Sequence, residues 1–397
     1  MQDGTAVGRF LIATWNGGGA TQPALGLGRL LRTRGHDVRV LAPSSHRERV
    51  EALDCTWLAL PAAAEFDPAA GRSLEDANQL PYLVRTLCGR AIPDALMAEV
   101  ERKPADVFVI DYMLRSTLCA AEHIGAPTAA LVHTPFAFHG VVDDDDPHFG
   151  WDVDPVNKVR SRLGLESLRP QGEHLTVVLQ RRCARSLVVM PAEFDPRAKT
   201  WAGLRHVGPI FEEPPGTYLW DPPWDAGDDK PLVVVSLSSQ YMHQEDMLAR
   251  IASALDGLDV RALVLTGYEL EPDELLVSPS VVVHRYIPHA AVLPHAALLV
   301  THAGMGTVMA AFAAGTPMLC MPLGRDQHDN AARVVEFGAG VTVAADASVS
   351  AVQDAARDAL TSPVLQAGAR RMAGVIDRYQ AGSMAVAELE SLLARDG

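Results

Sequence analysis

From Arg9 onward the chain alternates short runs of β-branched and apolar residues with longer stretches whose apolar positions recur at helical spacing. That alternation predicts a parallel sheet joined by crossover helices. Phe10 to Thr14 (FLIAT) reads as a first buried strand. Pro23 to Arg34 reads as a helix carrying Leu25, Leu27, Leu30 and Leu31, with Gly35 as its stop. Val38 to Ala42, Val107 to Asp111 and Ala129 to His133 read as further strands, with residues 82–102 helical among them. Residues 212–231 (EEPPGTYLWDPPWDAGDDKP) hold five prolines and, before Asp229, five acidic side chains, so neither helix nor strand is sustained there. The alternation then restarts with LVVVSL (232–237), ALVLTG (262–267), VVVHRY (281–286), ALLVTHAG (297–304) and MLCMP (318–322), and ends in a helix-rich tail.

This pattern implies two doubly wound halves, residues 1–211 and 232–364, on either side of a linker at 212–231. Open parallel sheets bind ligands beyond the carboxyl ends of their strands, so two facing sheets imply a cleft that holds the chemistry. A length of 397 residues agrees with two hydrophobic cores. The composition, 48% hydrophobic and 21% charged, excludes disorder, collagen and coiled coil as descriptions of the whole. A formal charge of −15 repels phosphate backbones, so nucleic acid is not an expected partner. The five cysteines are scattered without CxxC spacing, which fits a reduced cytoplasmic protein better than zinc or disulfide chemistry. The start, MQDGTAVGRF, is not a basic segment leading into an apolar run, and no run approaches the ~20 apolar residues of a membrane span.

Two glycine-rich loops invite phosphate chemistry. The first, WNGGGATQ (15–22), follows the opening strand, but a dinucleotide fingerprint beginning at Gly17 and Gly19 would need its third glycine at Gln22. The second strand also ends in Ala42-Pro43-Ser44, with no carboxylate for a ribose, and no Gly-Lys-Ser/Thr completes a P-loop. The second loop, His302-Ala303-Gly304-Met305-Gly306-Thr307, follows an apolar strand and opens an Ala-rich helix. Small residues let the chain approach an anion closely, and the free amides and positive end of the helix favour a diphosphate. His302 and Thr307 add side-chain donors, and Asp326-Gln327, after a later strand and a glycine turn, suit sugar hydroxyls.

This segment resembles the donor-binding signature of the GT-B glycosyltransferases, in the family of plant UDP-sugar and actinomycete antibiotic glycosyltransferases. The features occur in the family's order: Tyr286-Ile287-Pro288-His289, the His302–Thr307 loop, Gly315-Thr316-Pro317, Asp326-Gln327 and Asn330. The opening strand and loop, Arg34-Gly35-His36-Asp37-Val38, and Val233 to Ser239 extend the resemblance over nearly the whole chain. It implies a GT-B fold: α/β, two doubly wound Rossmann-like domains facing across a cleft, with residues 365–397 crossing back as helices onto the first domain. It implies no cofactor beyond a dTDP- or UDP-sugar co-substrate, no metal, and a hydrophobic small-molecule acceptor; a homodimer stays open.

Carried over by resemblance, His302, Gly304, Gly306 and Thr307 hold the diphosphate, Ser238 approaches it, Asp326 and Gln327 bind the donor sugar, and Tyr286 lies near the base. Plant members have a Glu eight residues after the loop His; here that position is Ala310, which leans towards donors lacking a ribose 2′-hydroxyl. The family's usual base is a His three residues before the first-helix proline, where this chain has Ala20. Asp111, in the place of that histidine's usual partner, is the first candidate base, acting alone or orienting His133, the second; Asn16 positions one. For both candidates the competing reading is a hydrogen-bonded structural group at a strand end. The leading function is an inverting transfer of a (deoxy)sugar to a hydrophobic natural product. A catalytically silent GT-B auxiliary protein and an NDP-sugar epimerase are the alternatives. The acidic run 143–146 reads as a solvated loop, His36 as structural, and His284, His289 and His295 have spacings unlike a zinc pair. Phe149 and Trp151 read as part of an acceptor-side loop and helix, with core packing as the competing reading.

Overall fold

A computed structural model describes residues 7–17, 19, 21–65, 80–136, 151–170, 172–196, 200–212, 220–225, 227–238, 244–267 and 270–393. The described residues form two compact units, one running to Glu212 and resuming at Tyr379, the other ending at Arg378.

The first unit is built on seven strands: β1 (Arg9–Ala13), β2 (Asp37–Ala42), β3 (Thr56–Ala59), β4 (Val107–Asp111), β5 (Thr128–Val132), β6 (Arg185–Val188) and β7 (Leu204–His206). Their order across the sheet is β3-β2-β1-β4-β5-β6-β7, all parallel. The second unit has six: β8 (Leu232–Ser236), β9 (Arg261–Leu265), β10 (Val281–His284), β11 (Leu298–Thr301), β12 (Met318–Cys320) and β13 (Gly340–Thr342), ordered β10-β9-β8-β11-β12-β13 and again all parallel. A parallel sheet covered by helices on both faces needs apolar residues in succession. VFVID, TAALV, LVVVS and LLVT are accordingly buried at every position. In each sheet the winding reverses beside the first strand, between β1 and β4 and between β8 and β11, where such folds open a crevice for ligands.

Several local expectations change. The expected helix over 82–102 is two, Leu80–Leu87 and Ala91–Arg102. At Gly89 a Cβ would lie 2.1 Å from the Arg85 carbonyl oxygen, so the chain turns between the two helices in a way only glycine permits. The stretch 134–165, without a clear period, contains the helix Val153–Arg162. Its inner face is completed by Arg160, fully buried and paired with Glu122 at 2.7 Å, so a charged residue occupies what the pattern reads as a polar position. β6, β7 and β13 have three or four residues each, too short for periodicity to register.

The tail contributes to both units. Pro363–Asp377 belongs to the second, begun by Ser362, whose hydroxyl caps the Leu365 amide at 3.3 Å. The last helix, Ser383–Leu393, buries Ala385, Val386, Leu389 and Leu392 in the core of the first. Glu390 pairs with Arg34 (3.0 Å) and His36 (3.1 Å), which gives His36 its structural role. No helix among the described residues is long and apolar enough to cross a membrane.

Candidate active site

In the second unit, β11 ends at Thr301 and the chain makes a tight bend before the helix Met305–Ala314. Ala303, in the bend, has a φ of +66°, a left-handed conformation that costs a non-glycine residue energy. Its amide donates to Thr301 Oγ1 (3.2 Å) and its carbonyl accepts from Asn330 Nδ2 (3.0 Å), so both sides of the strained residue are held. Gly304 follows, and a Cβ there would stand 2.5 Å from His302 Nε2, so only glycine leaves room for the ring. The first helical bond runs from Val308 N to Gly304 O at 3.0 Å, leaving the amides of Met305, Gly306 and Thr307 at the positive end of the helix.

The His302 ring is 7% exposed and its Nδ1 has no hydrogen-bond partner. Burial, helped by the charge of Arg325 and by nearby His289, pushes its pKa down to about 3, so the imidazole is neutral at physiological pH. The Nε2 edge of the ring lies against Gly304 at the start of the helix, so a neutral imidazole and the helix-start amides share one place suited to a ligand oxygen. Ser238, also buried, leaves β8 at the same sheet edge, in register with β11 through Ser236 and Thr301. Its amide donates to Gln244 Oε1 (3.0 Å) and its carbonyl accepts from Gln244 Nε2 (2.8 Å), which ties Ser238 to the residue before the next helix. Thr307 is buried on the first turn of the helix, and Tyr286, past β10, is 51% exposed.

Asp326 and Gln327 sit where β12 passes into the helix Gln327–Glu336. Gln327 Oε1 accepts from the amides of Leu323 (2.7 Å) and Gly324 (3.1 Å), so its oxygen shapes the turn. Asp326 Oδ2 accepts from Asn330 Nδ2 at 3.0 Å.

In the first unit, β4 and β5 are neighbours with Asp111 opposite Leu131, which carries Asp111 and His133 to the same edge. Asp111 is fully buried. Its Oδ1 accepts from the Met113 amide (2.8 Å) and its Oδ2 lies 3.0 Å from His133 Nε2. The His133 side chain is 12% exposed, so of the two candidates it is the one a substrate can touch. Tyr112 packs edge-on against the His133 ring, with centroids 5.0 Å apart, and its hydroxyl shares a 2.6 Å hydrogen bond with Thr134 Oγ1. An ionised Asp111 keeps the imidazole proton on Nε2 and the lone pair on Nδ1. Asn16 is half-buried in the loop leaving β1.

Ala20, the acidic run 143–146 and Phe149 lie outside the described residues. Trp151 is half-buried, and Arg115 stacks over it at 5.0 Å. His289 is bonded to Ser236 Oγ at 2.9 Å. Arg325 emerges as a member of the donor region that motif reading did not name, and Asn330, named in the signature without a role, joins it. Arg325 has a φ of +56° in the turn held by Gln327.

Residues 207–372 match the family model for UDP-glucoronosyl and UDP-glucosyl transferase. The chain is a nucleotide-sugar-dependent glycosyltransferase related to that family. It is 27% identical over 376 residues to the 4'-demethylrebeccamycin synthase of Lentzea aerocolonigenes, covering 84% of this chain and 87% of the relative. It is 26% identical over 413 aligned positions to the O-mycaminosyltylonolide 6-deoxyallosyltransferase of Streptomyces fradiae, covering 92% of each. The solved structure of a calicheamicin glycosyltransferase matches with a TM-score of 0.76 at 24% identity, covering 98% of this chain and 99% of that one, and establishes the GT-B fold. This glycosyltransferase uses a nucleotide-sugar donor.

The neutral histidines carry a measurable consequence. His46, buried and bonded to Thr21 Oγ1 at 3.0 Å, is lowered to about 4, chiefly by burial, and His302 to about 3. In the unfolded chain both take a proton below about 6.5, whereas the folded protein resists until the lower values, so between those limits the unfolded state binds more protons. Stability is therefore full above pH 6.5 and is lost on acidification towards pH 4, by about 2 kcal/mol per histidine at pH 5. Urea unfolding at pH 7.5 and pH 5 measures the loss, and His46→Gln is expected to remove its share of it.

Proposed function

We propose that this glycosyltransferase moves a sugar, by preference a deoxysugar, from a dTDP-sugar or UDP-sugar to a hydroxyl of a hydrophobic natural product, with inversion and without a metal. The observation that carries the donor half is the buried, neutral His302, whose Nε2 edge lies against Gly304 where the helix Met305–Ala314 opens. Gly304, Gly306 and Thr307 complete the diphosphate cradle, Ser238 approaches it, Asp326 and Gln327 take the sugar hydroxyls, and Tyr286 stacks near the base. The relatives support the acceptor and sugar classes, since one is named for a rebeccamycin product and the other as a 6-deoxyallosyltransferase.

In the displacement the acceptor oxygen bonds to the anomeric carbon as the bond to the diphosphate oxygen breaks. The nucleoside diphosphate leaves with the electron pair, which the helix terminus and His302 stabilise. The hydroxyl proton goes to His133 Nδ1, with Asp111 accepting from Nε2–H and stabilising the imidazolium that forms. Asp111 is thus the positioning residue and His133 the base, the reverse of the order the sequence alone favours, because the carboxylate is enclosed and already accepts two hydrogen bonds. Asn16 aids in placing the acceptor.

Calorimetry with dTDP and with UDP tests the reading, and wild-type protein that binds neither overturns it. Ala310, half-buried on the second turn of the same helix, supplies no carboxylate to a ribose 2′-hydroxyl. Ala310→Glu is expected to shift the ratio of dTDP to UDP affinity by about tenfold towards UDP, the scale of one hydrogen bond to a charged group.

A further inference from the structure

The donor loop and the sugar-binding carboxylate lie on different elements, yet one side chain touches both. Asn330, on the second turn of the helix Gln327–Glu336, is fully buried. Its Nδ2 donates one hydrogen to the carbonyl of Ala303 (3.0 Å) and the other to Asp326 Oδ2 (3.0 Å), while its Oδ1 is buried without a partner. Both partners are acceptors, so the amide has one orientation. A buried carbonyl left unsatisfied is a cost that needs a compensating use. The use is visible at the other end, where the bonded carbonyl belongs to the left-handed residue between His302 and Gly304.

We infer that Asn330 is a positioning residue that couples the two halves of the donor site, holding the His302–Gly304 bend in its strained form and orienting the Asp326 carboxylate with the same amide. The inference rests on the donor-site reading above. It explains why the bend keeps its shape around an alanine, and it makes diphosphate and sugar recognition depend on one another. Neither aspartate nor alanine at 330 reproduces this pair of donors. A carboxylate in Asn330→Asp faces a carbonyl and the Asp326 carboxylate, with neutral His302 and the cation of Arg325 as the nearby titratable groups. It regains a donor only when one of the two carboxyl groups is protonated.

The experiment measures dTDP affinity by calorimetry for wild type, Asn330→Asp and Asn330→Ala between pH 8 and pH 5.5, beside melting temperature, with kcat and KM for dTDP-glucose as probe donor. At pH 8 both variants are expected to bind dTDP at least tenfold more weakly than wild type. The Asn330→Asp deficit, taken as a ratio to wild type at each pH, shrinks on acidification while the Asn330→Ala deficit does not. Variants within twofold of wild type overturn the inference, as does a loss that only follows melting temperature with no recovery at low pH for Asn330→Asp. Should Asn330→Asp fail to fold, a folded Asn330→Ala must show both the dTDP loss and a raised KM for dTDP-glucose. Wild type that binds neither dTDP nor UDP is the separate result that removes the donor-site reading itself.

Discussion

His133→Gln is expected to lower kcat by about 10²- to 10⁴-fold while leaving dTDP affinity within twofold of wild type, because general-base catalysis contributes on that scale and the histidine lies outside the donor loop. Asp111→Asn is the sharper companion. Its oxygen still accepts from the Met113 amide, so the turn after β4 survives, but its NH₂ then faces His133 Nε2. An amide donor there demands the lone pair on Nε2 and moves the imidazole proton to Nδ1, the nitrogen that must take the acceptor's proton. The variant is therefore expected to lose at least about 10²-fold in kcat with little change in KM for either substrate. Wild-type turnover by His133→Gln removes the histidine as base. Wild-type turnover by Asp111→Asn alone reduces the carboxylate to a structural strand-end group.

That pair marks the limit of what could be read linearly. Asp111 and His133 each close an apolar run, which flags them as strand-end residues, but their 3.0 Å contact depends on β4 lying next to β5, and no local pattern states strand order. The donor loop was legible because its signal is local: an apolar strand, three small or polar residues, then a helix, all within ten positions. The strands that escaped notice, β3 (TWLA), β6 (RSLV), β7 (LRH) and β13 (GVT), have three or four residues apiece, and all but β6 lie at sheet edges, too short for alternation to leave a trace. Buried arginines blurred the rest. Arg39 on β2 and Arg160 take interior positions because Glu99 and Glu122 accept their charge, so hydropathy places them outside. Asn330 illustrates a third case: its spacing of four from Asp326 is visible in the sequence, but its bond to Ala303 is set by the packing of two helices at the end of the sheet.

Gly304→Ala is expected to weaken dTDP binding by about 10- to 100-fold, matching the loss for His302→Ala, and the equality is the informative part. The added methyl would stand 2.5 Å from His302 Nε2, 2.8 Å from Cε1 and 3.5 Å from Cδ2, so the ring has to leave its place. Gly304 itself has a φ of −61° and a ψ of 139°, which alanine adopts freely, so the substitution carries no backbone penalty and acts through the ring alone. Removing the imidazole or displacing it forfeits the same hydrogen bond to a charged oxygen, about 1.5–3 kcal/mol. The double variant should then lose no more than either single one, since each change abolishes one interaction. Additive losses would mean that the amides at the helix end are disturbed by Gly304→Ala as well, and that His302 contributes separately from the bend that holds it. An unchanged affinity in His302→Ala, with the variant folded, would detach the imidazole from donor binding and leave the helix terminus as the anion site.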